Sequence, residues 1–212
     1  MKQSLLALGL ACVLLIPACS AETRVATIRE RAEKGDARAE ALMGEMYATG
    51  ADVRKDYAQA VKWYERSAAA GMAQAQYNLG VMYERGEGVP KSDARAASWY
   101  EKAAAHGLAA AQYNIGVFYE QGRGVRQDAA EAAKWYQRAA KQGQTDAQYN
   151  LGAFYAQRNN PEEAYFWFGL AAKSGDPDAA RMRDRAGVRL PKEKAAAVER
   201  RVRAWRRVIT VG

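Results

Sequence analysis

Few residues in this sequence are of the types that carry chemistry, and their spacing limits what they can do. His106 is the lone histidine, and the two cysteines, Cys12 and Cys19, both fall within the first 21 residues. A transition-metal site needs several imidazole, thiolate or carboxylate ligands in register. With no second histidine and no later cysteine, no metal and no cofactor is expected. A nucleophile needs an adjacent base, and no serine has a base partner readable from the sequence. Gly86-Glu87-Gly88-Val89 and Gly122-Arg123-Gly124-Val125 have the glycine content of a phosphate-cradling loop. Such a loop follows a strand and brings a lysine or a third glycine. Here a helical pattern precedes each loop, and the two recur at a fixed step. Glu162 and Glu163 open a helical segment, where carboxylates favour the helix dipole. The chain reads as non-catalytic.

What does stand out is a set of polar positions that recur. Gly-Met-Ala-Gln-Ala-Gln-Tyr-Asn-Leu-Gly-Val-Met-Tyr (71–83) is followed by close copies at 107–119 and 143–155, with a weaker one from Gly35. The glycines at 35, 71, 107 and 143 and the tyrosines at 47, 83, 119 and 155 keep a step of 36. In this register Gln74, Tyr77, Asn78 and Arg85 lie opposite or beside the apolar stripe. Their counterparts include Tyr113, Asn114 and Gln121, then Tyr149, Asn150 and Gln157. Asn78, Asn114 and Asn150 can form a ladder of amides, each with two donors and an acceptor for a peptide backbone. The alternative is that they cap neighbouring helices or bond between repeats, with the tyrosines mostly packing.

The elements that position these residues are helices. Met72, Ala75, Leu79, Met82 and Tyr83 fall on one face of a 3.6-residue period, as do Ala96, Trp99, Tyr100 and Ala103. Gly80 recurs as glycine in every copy although a mid-helix glycine costs about 1 kcal/mol, so a neighbouring helix must come close there. Gly86 and Gly88 suit left-handed backbone after a helix end, and Ser92 or Asp93, like Asp128, can cap the next helix. One such hairpin cannot bury both apolar faces, but stacked copies share a continuous core. An indole buries about 150–250 Å², so Trp63, Trp99, Trp135 and Trp167 are expected to anchor the stack.

The pattern Ala-x-Ala-Gln-Tyr-Asn-Leu-Gly-x-x-Tyr-x-x-Gly-x-Gly-Val, a capping Asp, then Ala-x-x-Trp-Tyr-x-x-Ala-Ala-x-x-Gly resembles the Sel-one-like repeat, a relative of the tetratricopeptide repeat. Arg158-Asn159-Asn160-Pro161-Glu162 replaces the Gly-x-Gly-Val loop in the last copy and shortens it by four residues. The resemblance implies an all-α, right-handed superhelical solenoid of about four helix-loop-helix repeats (36–186), with a capping helix at 22–35 and a basic amphipathic cap and tail at 187–212. It also implies a protein-interaction scaffold whose concave surface, lined by the first helices, holds a partner protein or peptide. Relatives can occur as immunity proteins that neutralise a secreted toxin. A structural part of an envelope machine, such as a flagellar motor or export apparatus, is a further reading.

Both ends carry addresses. Lys2, the apolar stretch Leu5 to Ile16 and small residues behind it describe a secretory signal, too short for a retained span of roughly 20 residues. Cleavage after Ala21 is one outcome. The other is lipidation at Cys19, since Ile16-Pro17-Ala18-Cys19 resembles a bacterial lipobox, although Pro17 departs from it. An exported, periplasmic chain, soluble or anchored to the outer membrane, is expected. From Arg181 to Arg207 there are eleven basic residues against three acids, whereas residues 22–180 hold 20 bases and 21 acids. A basic stripe confined to the end argues against nucleic acid. Arg200, Arg203, Arg206 and Arg207 are expected to form a solvated cap, or to meet anionic lipid or an acidic partner.

Overall fold

The computed structural model describes residues 21–206. Among them the chain forms helices α1 (Ala21–Glu33), α2 (Ala37–Thr49), α3 (Tyr57–Ala69), α4 (Ala73–Arg85), α5 (Asp93–Ala105) and α6 (Ala109–Gln121). These are followed by α7 (Ala129–Lys141), α8 (Thr145–Gln157), α9 (Pro161–Lys173), α10 (Pro177–Gly187) and α11 (Lys192–Ala204), and no strand occurs among the described residues. Each helix from α1 to α9 packs on the next, so α2/α3, α4/α5, α6/α7 and α8/α9 are the four hairpins of a solenoid.

Local chemistry marks every boundary. Asp56, Ser92, Asp128 and Asn160 cap α3, α5, α7 and α9, their side chains accepting backbone N–H bonds from the first turn. Such a cap contributes about 1 kcal/mol. The second helices end differently. After α5, Gly107 takes a φ of 89° and Leu108 N–H reaches the Ala103 carbonyl at 3.2 Å. That is the left-handed closure glycine permits, and it turns the chain into the next unit without a side-chain cap.

The long loops do a second job. Gly88 lies against the first residues of the preceding unit's second helix: a Cβ there would come within 2.5 Å of the Tyr57 carbonyl. Gly124 meets Asp93 and Ala94 in the same way. Left-handed backbone (φ 72° and 65°) and contact with another backbone both demand glycine at these two positions. Beside Gly124, Arg123 pairs with Asp93 at 3.1 Å and with Glu84 at 3.0 Å, tying unit three back to unit two.

The core differs from expectation in which aromatic it buries. Trp63, Trp99 and Trp135 are only half-buried. Trp63 packs against the cluster of α1 and α2, Trp99 against that of α3 and α4 and Trp135 against that of α5 and α6, with Arg66, Lys102 and Arg138 over their rings at 4.6, 3.9 and 4.3 Å. They straddle the seams. The next residue along is buried more deeply: Tyr100, Tyr136 and Phe168 are almost fully buried, and Tyr64 nearly so. These rings lie on the repeated glycines, and a methyl group added to Gly116 would stand 2.7 Å from the Tyr136 ring. The close approach expected at Gly80 is this contact with Tyr100. Only Trp167, at 5% exposure, is buried as expected.

At the C-terminal end α10 takes the place of a first helix in an unfinished fifth unit. Its natural second helix is replaced by α11, which lies back on α9. Val198 is fully buried there, and Val202 and Trp205 join the cluster holding Phe166, Trp167 and Leu170. Arg201 completes the joint, pairing with Glu163 at 2.8 Å and stacking over Phe166 at 4.4 Å. No helix among the described residues is long and apolar enough to cross a membrane. Cys19 and Arg207 lie outside the described residues.

Candidate functional site

The repeated polar residues come together as a row on the first helices. Tyr77, Tyr113 and Tyr149 are half-buried, each with its ring against the buried aromatic of its own unit: Tyr100 at 5.6 Å, Tyr136 at 5.9 Å and Phe168 at 5.3 Å. Rings at these separations attract through their quadrupoles as well as their area. Each tyrosine stays partly open to solvent, so the row is amphipathic, and the ring contacts make it stiff.

The asparagines beside them are already engaged between repeats. The buried Tyr100 hydroxyl donates to the Glu84 carboxylate at 2.6 Å, and Tyr136 donates to Glu120 at 2.8 Å. From the following unit, the Asn114 amide approaches the Tyr100 hydroxyl and the Asn150 amide that of Tyr136. Burial first, and the carboxylate second, push both phenols well above the ordinary tyrosine range, and the amides oppose the shift by offering an N–H. Asn78 holds Tyr64 in the same manner, and Gln74 Nε2 donates to Asn78 Oδ1 at 3.1 Å. Tyr64 has no carboxylate partner of this kind, because Ala48 stands where Glu84 and Glu120 do. Burial, followed by the charge of Glu45, pushes it up to about 12. The ladder of amides is thus also an inter-repeat joint, with only part of its bonding capacity left for a ligand.

Arg85, Gln121 and Gln157 end their helices exposed, with Arg85 3.9 Å from Glu87. They flank the tyrosine row as its free polar edge. On the C-terminal helix the basic residues divide. Arg203 pairs with Glu199 at 3.5 Å, and Arg206 Nη1 donates to the carbonyls of Arg203, Ala204 and Trp205 at 3.2, 3.4 and 3.0 Å. Arg200 is exposed without an ion pair among the described residues. The role of Arg201 was missed: Glu162 and Glu163 open α9 where carboxylates suit the dipole, and they also receive Arg201 and Lys194. The acid pair opposite a basic amphipathic end was the available signal.

No group of three or more His, Cys, Asp or Glu able to hold a metal occurs among the described residues. What the face offers is hydrogen bonds, aromatic edges and mixed charge.

Comparison with known proteins agrees with this architecture. No curated protein matches the chain. Among solved structures it is similar to a protective antigen of uropathogenic Escherichia coli displaying an SLR fold, at 35% identity and a TM-score of 0.74 over 84% of this chain and 40% of that one. The chain therefore spans about two fifths of that antigen's length. It is also similar to a Sel1 repeat protein from Oxalobacter formigenes, at 29% identity and a TM-score of 0.70 over 87% of this chain and 79% of that one. The Sel1 repeat family model matches residues 37–72, 73–108, 109–144 and 145–176, the four hairpins in turn, and the chain belongs to that family.

Proposed function

We propose that this Sel1-repeat scaffold binds another protein or a peptide on the face formed by its first helices, and that it does so in the cell envelope. The observation that carries the reading is the stiff, half-exposed row Tyr77, Tyr113 and Tyr149. Tyrosine gives large amphipathic contact area at low entropic cost, and here ring contacts with Tyr100, Tyr136 and Phe168 have already ordered it. Less ordering remains to oppose binding. The test uses positions that leave the core alone. A photo-crosslinking residue in place of Gln121 or Arg85 is expected to trap one discrete partner, whereas the same residue in place of Lys62 or Lys134, exposed on second helices, traps none. Equal adducts from both faces would remove the reading.

The envelope assignment rests on the leader-like first residues, and attachment is proposed to depend on Cys19 more than on the tail. Arg201, Arg203 and Arg206 are engaged within the molecule, which leaves Arg200 as the free cation of α11 among the described arginines. A lipidated chain stays with membranes through a salt wash and leaves only with detergent, and Cys19→Ala is expected to release it. Protein that starts at Glu22 and is soluble at low salt would sink the anchor.

A further inference from the structure

The last interval of the array breaks a rule that units two and three keep. In unit two the buried spot between the helices holds the polar trio Tyr100, Glu84 and Asn114, and in unit three Tyr136, Glu120 and Asn150. At the same positions unit four has Phe168 and Ala156, and α10 contributes Met182. All three polar groups are replaced together. The phenolic oxygen is gone and so is the glutamate side chain, and what remains is an apolar cluster of Phe168, Ala164 and Ala186 bordered by Ala156 and Met182.

The vacated space is a cavity of about 240 Å³ between α8, α9 and α10. That is below the roughly 300–1,000 Å³ of a drug-sized site, so it takes a single side chain. Arg185 and Arg189 stand in its lining. Neither has an ion pair among the described residues, and Arg189 gives one N–H to Asn159 Oδ1 at 2.7 Å. Two guanidinium groups beside an apolar cavity fit a carboxylate close to an apolar group, because arginine binds carboxylates through paired, charge-assisted hydrogen bonds. The α-carboxylate of a chain end sits on the same carbon as its side chain, whereas an internal acid must reach from a neighbouring residue. We propose that this pocket binds the carboxyl-terminal residue of a partner polypeptide, with an apolar side chain inward and the terminal carboxylate on Arg185 and Arg189. The proposal rests on the reading of the chain as a binder of polypeptides and adds a terminus-specific subsite at one end of the first-helix face.

The test follows binding to the full chain by fluorescence anisotropy. The probe is a labelled Gly/Ser heptapeptide whose last residue is leucine, offered as the free acid, as the C-terminal amide, and as an amide with aspartate beside an internal leucine. The free acid is expected to bind saturably, and the plain amide at least tenfold more weakly. Arg185→Gln with Arg189→Gln is expected to reproduce the tenfold loss at unchanged helicity. Ala156→Glu with Phe168→Tyr rebuilds the arrangement of units two and three, so it is expected to close the pocket and abolish binding while the fold is kept. Absence of saturable binding by any probe, equal binding of acid and amide, or full binding by the refilled variant would each overturn the proposal. Binding of the internal-aspartate probe as tightly as the free acid would overturn it too, by assigning the site to an acidic segment. Crosslinking at Gln121 is read separately, so an intact adduct with no peptide binding removes this subsite alone. Peptide binding without an adduct removes the first-helix reading alone.

Discussion

Replacing Tyr136 with alanine is expected to destabilise the chain by about 3–5 kcal/mol, the range for deleting a large aromatic from a core. Trp135→Ala, one residue earlier, is expected to cost distinctly less. The ordering reverses the usual ranking by side-chain size, and burial is the reason. Tyr136 is 2% exposed, lies on Gly116 and ties Glu120 to Asn150 across two units. Trp135 is half-buried at a seam with Arg138 over its ring, so truncation leaves a surface groove that water can fill. Tyr136→Phe separates the ring from its hydroxyl and is expected to cost about 1 kcal/mol, the net value of one hydrogen bond. Urea unfolding followed by circular dichroism measures all three without relying on the indole as reporter. An equal or larger loss for Trp135→Ala would show that the seam, and not the tyrosine-on-glycine contact, holds the stack.

A chain ended after Leu190 is expected to melt far lower and to self-associate. It loses α11, and with it the cover over Phe166, Trp167 and Leu170. Each aromatic buries about 150–250 Å². Re-exposing half of that for two rings, at about 25 cal/mol per Å², is a loss on the order of 5 kcal/mol, before the packing of Val198 and Val202 is counted. Solenoids need a terminal cap with a polar outer side, and α11 is one, with Lys192, Lys194 and Arg200 outward. Light scattering against protein concentration reads the association directly. A truncated chain that stayed monomeric with an unchanged melting temperature would mean α11 is an appendage.

Much of this was legible in the residues. The step of 36, the apolar faces, the caps at Ser92 and Asp128 and the left-handed glycines all have local causes, so a linear reading finds them. The tryptophans misled because burial depends on the neighbouring unit. A periodic pattern shows that Trp99 and Tyr100 share a helical face, and only packing shows that Tyr100 reaches Gly80 while Trp99 sits at a seam. The asparagines were open between ligand and joint for a like reason: their partners, Tyr64, Tyr100 and Tyr136, lie 14 residues earlier on another helix. The change at Ala156, Phe168 and Met182 was visible in the aligned copies, but it was obscured by the shortened loop beside it.

The backward seating of Gly88 and Gly124 gives the array a direction. The second helices of units one and two have their opening residues covered by a loop that is made about 30 residues later, by the successor unit. Trimming from the front therefore removes whole units with their own hardware, while trimming from the back strips a cover from the unit that remains. Unit four lacks the loop with which units two and three reach back, and Ala129, where its contact would fall, is left exposed. An array of this design can be lengthened by copying its interior, but the last unit is specialised as a stop and cannot be copied inward without leaving an uncovered helix start at every junction.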